Sequence, residues 1–181
     1  MIVIMSKNLI ERLYSLPGHE LKFAAGVPVF HLGDEVRQVH LVRAGTIHLV
    51  RNQADGSALI LQRAGPGAIL AEASVYSSSY HCDARAESAA TTWAIEKSEM
   101  RRRLSKSPEF AEAWSLHLAH EVQRARLQAE ILSLKTVEAR LNAWMVWNET
   151  LPAKGQWSNV ACEIGVSPEA LYREIARRQH S

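Results

Sequence analysis

Asn159-Val160-Ala161-Cys162-Glu163-Ile164-Gly165-Val166-Ser167-Pro168-Glu169-Ala170-Leu171-Tyr172-Arg173 is the stretch that decides how the chain is organised. Two helices meeting across a tight turn need a small residue at their contact, a residue tolerant of positive φ in the turn, and an aliphatic residue that locks the second helix. Ala161, Gly165 and Leu171 supply these, and Val160, Ile164 and Val166 fill the apolar positions around them. Ser167-Pro168-Glu169 then restarts a helix with a hydroxyl N-cap, a proline at the first helical position and an acid in the first turn. The spacing predicts a helix-turn-helix whose second helix covers 168–178. On it Glu169, Tyr172, Arg173 and Arg177 recur at intervals of three and four and share one face, with Ser167 at its start. In a major groove an arginine pairs bidentately with guanine O6 and N7, and a glutamate accepts from cytosine N4, so Glu169 and Arg173 suit base reading. The plainer alternative is a surface ion pair between them. Arg177, Arg178 and His180 suit phosphate contact or a solvated chain end.

Upstream, Pro152 to Gly155 reads as a loop, preceded by an amphipathic helix carrying Val137, Leu141, Trp144 and Met145. Ser133 to Thr136 is a polar interruption with N-cap candidates, and a hinge is placed there. Before it, Ser107-Pro108-Glu109 opens a segment without glycine or proline that runs to about Leu132. Phe110, Trp114, Leu118, Val122, Ala125, Ala129 and Leu132 form an apolar seam along it. A helix that long on a small domain usually needs a partner, so the seam is read as a dimer interface; the competing reading packs it onto its own barrel.

From Val27 to Glu96 the texture is that of short antiparallel strands. The runs are 27–31, 36–42, 46–51, 58–62, 69–70, 80–86 and 91–95. Their punctuation is Leu32-Gly33-Asp34, Ala44-Gly45, Asp55-Gly56, Gly65-Pro66-Gly67 and Ser77-Ser78-Ser79. Strands this short and evenly spaced predict a closed barrel or a double-sheet jelly roll. A short helix over Lys7 to Tyr14, stopped by Pro17-Gly18, precedes them. The expected fold is α+β: a jelly-roll sensor domain over 1–106, a dimerisation helix over 107–134 and a helix-turn-helix domain over 135–181.

The 47% hydrophobic and 22% charged composition is that of an ordinary globular chain, and a net charge of +2 is too mild to announce nucleic-acid binding by itself. Cys82 and Cys162 match no metal or redox spacing and read as reduced thiols. No segment has the length of a signal h-region or a membrane span, and the expectation is a cytoplasmic protein without a membrane partner. His31, His40, His48 and His81 lack the compact spacing of a cupin metal site, and no Ser-His-Asp, P-loop or paired-carboxylate pattern occurs, so an enzyme is not expected.

The order of sensor barrel, long helix and helix-turn-helix resembles the Crp/Fnr family of the cyclic AMP receptor protein. Gly33 after a strand, Ala44-Gly45-Thr46, Asp55-Gly56, Pro66-Gly67 and Ala71-Glu72 look like its sensor domain, and Glu169-Ala170-Leu171-Tyr172-Arg173 looks like its recognition-helix Glu-x-x-x-Arg. The resemblance covers roughly Gly26 to Gln179. It implies a homodimer on a palindromic site of double-stranded DNA, with recognition helices about one DNA turn apart and regulated contact with RNA polymerase. It also points to Glu72, Cys82, Asp83 and Arg85 as effector-pocket candidates. Where cyclic-nucleotide-binding relatives carry arginine and a small polar residue, this chain has Cys82-Asp83, so a phosphodiester loses its cation and meets a carboxylate, and only a local shift of Arg85 restores it. Cyclic AMP is therefore not expected, nor is an iron-sulfur cluster, whose N-terminal cysteines are absent. Haem on the scattered histidines is the remaining cofactor reading, and the expectation is no cofactor. Relatives continue into a β-hairpin wing, which this short form lacks at Ser181, and Pro168 stands where some carry another DNA-contacting arginine. Weaker, more salt-dependent DNA binding follows, with a dimeric protein-interaction module as the alternative function. Cys82 beside His81 and Arg85 reads either as a redox thiol or as a buried structural cysteine.

Overall fold

The computed structural model describes residues 9–53 and 58–179. The chain divides into two compact units, Met1–Leu118 and Ala119–Ser181. The first opens with helix α1 (residues 9–14), followed by eight strands: β1 (Gly18–Phe23), β2 (Pro28–Phe30), β3 (Gln38–Ala44), β4 (Ile47–Asn52), β5 (Ala58–Ala64), β6 (Ile69–Leu70), β7 (Asp83–Ala86) and β8 (Ala90–Glu96). They form two antiparallel four-stranded sheets, ordered β1-β8-β3-β6 and β2-β7-β4-β5, which is a jelly-roll sandwich. Helix α2 (Lys97–Lys106) follows, then α3 (Pro108–Ser133), whose residues are shared between the two units.

The seven strands expected from the sequence are present with shifted ends; β1 and α2 are additional. In β1 only Leu21 and Phe23 are half-buried while His19, Glu20 and Lys22 are exposed, so its apolar alternation is too sparse to be seen. In α2 Met100 alone is buried, with Leu104 packed at the margin. Residues 7 and 8 of the expected first helix, the Asp55-Gly56 turn and His180 lie outside the described residues.

Alternation along the strands sends side chains to two separate cores. Phe30, Val42, Ile47, Leu49, Leu70, Tyr80, Cys82, Ala84 and Ala86 fill the space between the sheets. There the Phe30 and Tyr80 rings stack with centroids 3.6 Å apart, and the Tyr80 hydroxyl donates to the Gln38 carbonyl at 2.7 Å. Burial pushes that phenol up to about 12. Val39, Leu41 and Ile69 face the other way and pack with Leu9, Leu13, Met100, Phe110 and Trp114 of the helices.

This corrects the reading of the apolar seam on α3. Phe110 and Trp114 are fully buried in the core of their own unit and Leu118 packs against it, because the outer face of the first sheet needs a cover. They are not available to a second chain. Val122, Ala125, Ala129 and Leu132 are exposed, while Ile131 turns inward to a third core with Leu141, Trp144, Val160, Ala161, Ile164, Leu171 and Ile175 in the second unit.

His40 is buried on the sandwich side of β3, its ring 6.1 Å from Phe30 and its Nδ1 3.3 Å from Thr92 Oγ1. Desolvation first, and His19 second, lower its pKa to about 4. The unfolded chain, titrating near 6.5, binds the proton where the folded chain does not, so stability is complete above pH 6.5 and falls as pH drops toward 4. Lowering the pH from 7 to 4.5 is expected to cost the first unit about 2 kcal/mol through this residue. Urea unfolding at the two pH values should show that loss in the native protein, and a much smaller one in His40→Leu.

Candidate functional site

The second unit is built from the end of α3, α4 (Val137–Asn148), α5 (Trp157–Glu163) and α6 (Pro168–Gln179). Thr136 caps α4, its Oγ1 accepting from the Ala139 N–H at 3.1 Å, which places the interruption after α3 where the polar Ser133–Thr136 stretch predicts it. Inside α4, Arg140 gathers four backbone carbonyls. Its Nε donates to Leu134 at 2.8 Å, Nη2 to Leu132 at 3.1 Å, and Nη1 to Ile164 at 3.1 Å and Gly165 at 2.8 Å. One guanidinium thus ties the end of α3 to the turn between α5 and α6. No local sequence pattern marks Arg140; five donors on a single helix residue beside two chain reversals are its only signal.

Gly165 sits in that turn at φ +65°, and a Cβ there would lie 2.5 Å from Leu132 Cδ2. Ala161 and Leu171 are fully buried. After the turn, Ser167 Oγ accepts from the Ala170 N–H at 3.2 Å and starts α6. The Glu169 carboxyl is held below the usual carboxylate range by its own backbone N–H first and the Ser167 hydroxyl second, with Arg173 adding to the effect. Tyr172 is 37% exposed; its ring lies 5.2 Å from that of Trp157, and its hydroxyl donates to the Lys154 carbonyl at 3.4 Å. Arg173 is exposed and, among the described residues, has no carboxylate within ion-pair distance. Ser167, Glu169, Tyr172 and Arg173 therefore come together at the start of α6.

Arg177 does not stand with them. Its Nη2 lies 2.9 Å from Glu138 on α4 and 3.0 Å from the nearly buried Glu174, and Arg178 Nε lies 2.7 Å from Glu174. The two guanidinium groups hold the Glu174 carboxyl below its ordinary range. This network fastens the last turns of α6 to α4, and it is absent from any reading of α6 as an isolated helix.

The four effector-pocket candidates are separated by the pleat of β7. Cys82 points into the sandwich with Ala84 and Ala86, close enough to Glu72 for the two to interact. Asp83 and Arg85 point outward and line a cleft on the opposite face of the sheet. Burial pushes the Cys82 thiol up; Arg51 opposes this, while Asp83 and Glu72 reinforce it. The cysteine is a core residue, and His81 and Arg85 do not activate it. His40 lies inside the sandwich whereas His31 and His48 line the outer cleft, and among the described residues no group of His, Cys, Asp and Glu is arranged to hold a metal. No helix among them is long and apolar enough to cross a membrane.

Residues 20–107 match the family profile described as the cyclic nucleotide-binding domain. That part of the chain resembles this domain family. Solved structures extend the likeness beyond the domain. FixK2 from Bradyrhizobium japonicum has a TM-score of 0.70 at 16% identity, covering 91% of this chain and 86% of its own. The c-di-GMP-responsive global regulator CLP of Xanthomonas campestris gives 0.63 at 18%, covering 96% and 92%. The catabolite activator protein of Thermus thermophilus gives 0.54 at 17%, covering 97% and 83%. The chain thus resembles transcription regulators of the Crp/Fnr type in fold. No curated protein sequence matches it.

Gly165→Ala combines left-handed backbone with a clash and is expected to destabilise the second unit by about 2 kcal/mol. Arg140→Met strands four carbonyls and is expected to cost about 2 kcal/mol, more than Arg173→Met, in thermal unfolding followed by circular dichroism. A thiol reagent added to the native protein should titrate Cys162 rapidly and Cys82 only on unfolding, so that Cys162→Ser abolishes the fast phase.

Proposed function

We propose that the chain is a DNA-binding transcription regulator of the Crp/Fnr type. In this reading it works as a homodimer on a palindromic operator, the helix at 168–178 lies in the major groove, and α5, α6 and their turn are its helix-turn-helix. The observation that carries the proposal is the start of α6: Arg173 is exposed and unpaired among the described residues, one turn from a Glu169 already ionised and fixed by the cap. An exposed arginine fork that is in no salt bridge among the described residues, with Glu169 acting on it only at longer range, keeps its bidentate geometry for guanine. Ser167 and Tyr172 flank it for phosphate or sugar contact. The exposed Val122, Ala125, Ala129 and Leu132 supply the dimer contact on α3, and RNA polymerase is the expected protein partner on the operator.

The sensor domain in this proposal takes no cyclic nucleotide. Cys82 places a buried thiol where a phosphodiester needs a cation, and Arg85 faces outward. A second reading, a dimeric interaction module that has left DNA, draws on the Glu138–Glu174 network, which uses Arg177 and Arg178 internally and leaves α6 few cations for phosphate.

Selection of genomic fragments on the purified protein, with binding followed from low to physiological salt, tests the proposal. An enriched palindrome is expected, with Arg173→Ala losing about 1–3 kcal/mol of discrimination at one position of each half-site. Arg177→Ala should alter affinity and its salt slope much less. No enriched sequence, or equal binding by native protein and Arg173→Ala, would move the assignment to the interaction module.

A further inference from the structure

The outer face of the sheet β2-β7-β4-β5 carries a cleft of about 460 Å³, within the range of small-molecule sites. Cross-strand register sets Pro28 and His48 opposite Arg85, and Val50 opposite both Asp83 and Ile60, so these side chains share the face turned away from the sandwich interior.

The charges in the cleft are unequally satisfied. Asp83 uses both oxygens: Oδ1 accepts from the Leu32 N–H at 2.9 Å and lies 3.3 Å from His31 Nδ1, and Oδ2 accepts from Asn52 Nδ2 at 3.1 Å. Arg85 is engaged at one edge alone, its Nε donating to the Gly26 carbonyl at 2.8 Å, and among the described residues nothing binds its terminal Nη groups. Gly26 turns the chain here at φ +82°, a conformation that favours glycine, and a Cβ there would be in ordinary contact with Arg85 Nη2 at 3.4 Å. Glu87 is largely exposed and has His48 as its neighbour, with Nδ1 3.4 Å from Oε2. His48 Nε2 accepts from Arg63 at 3.2 Å, which leaves the imidazole proton on Nδ1, facing Glu87. Burial first, and Arg63 second, hold His48 below its ordinary pKa against the opposing pull of Glu87.

We propose that this cleft binds a small zwitterion of the α-amino-acid class with an apolar side chain. The carboxylate takes the open Nη fork of Arg85, the ammonium takes Glu87, and the side chain lies on Val50, Ile60 and Pro28. The charge pattern selects this class. A phosphate ester would meet Asp83 and Glu87 on either side of Arg85, and a simple cation would meet Arg85 itself. A planar guanidinium pinned along one edge is preorganised for a carboxylate and loses little freedom in binding it. The proposal is independent of DNA reading by α6.

Titration of the ¹⁵N-labelled full chain with leucine, 4-methylpentanoate and 3-methylbutylamine, read from the amide shifts of residues 48–50 and 83–87, tests it. Saturable shifts on this face are expected with leucine, with both single-charge analogues weaker by about tenfold or more, corresponding to loss of roughly 1.4 kcal/mol. Arg85→Met should abolish leucine binding. Glu87→Gln, which keeps the polar side chain, should bring leucine down to the affinity of 4-methylpentanoate, and it carries the test if Arg85→Met folds poorly. Absence of a saturable shift with leucine, analogues that match it, or leucine binding unchanged in Glu87→Gln would overturn the proposal.

Discussion

A strand can send only every second side chain inward, and on β7 with the residue before it this constraint orders the interior of the first unit. Cys82, Ala84 and Ala86 fall on one side and Asp83 and Arg85 on the other. The small inward residues let the Phe30–Tyr80 stack occupy the sandwich, and the outward charges are left to tie the 31–32 turn and β4 together through Asp83. The space between the sheets is thereby largely apolar, with His40 and Thr92 as a buried polar pair. The charged side chains of β7 lie on the outer face of their sheet, so Arg85 stands outside the sandwich.

The second unit depends on a different device. Short helices joined by tight turns leave many carbonyls without partners, and α5, of seven residues, is far too short to stand by itself. Arg140 answers several of those carbonyls at once, and Trp144 adds a bond from its Nε1 to Glu163 at 2.7 Å. The start of α6 is presented from a turn held by side chains of α4, so the exposed Glu169 and Arg173 rest on hydrogen bonding a helix away.

Most of this architecture is legible in the sequence where packing follows period and turn chemistry. The strands between Pro28 and Glu96, the Thr136 cap, the Gly165 turn and the Ser167-Pro168 start are all written in local residue types. What is not legible depends on partners distant in sequence. The exchange of Phe110 and Trp114 from a seam to an internal core required knowing that the first sheet lacks a cover on its outer side. The loss of Arg177 to Glu138 required knowing that α4 runs beside α6. The separation of Cys82 from Arg85 follows from strand alternation, which puts residues three apart on opposite faces.

The pairing of β1 with β8 has a consequence for how the chain is made. Gly18 meets Ile95 and Phe23 meets Ala90, so β1, made before the other seven strands, waits for the last one of the sandwich. The β4–β5 hairpin closes locally and early, but β3, which also needs β8, stays open on one side through the same interval. At a synthesis rate of roughly 5–20 residues per second that interval is on the order of several seconds. During it β1 is an unpaired strand beside other nascent chains. His19, Glu20 and Lys22, which make it almost invisible as a strand, are also what keep it from pairing with the wrong one.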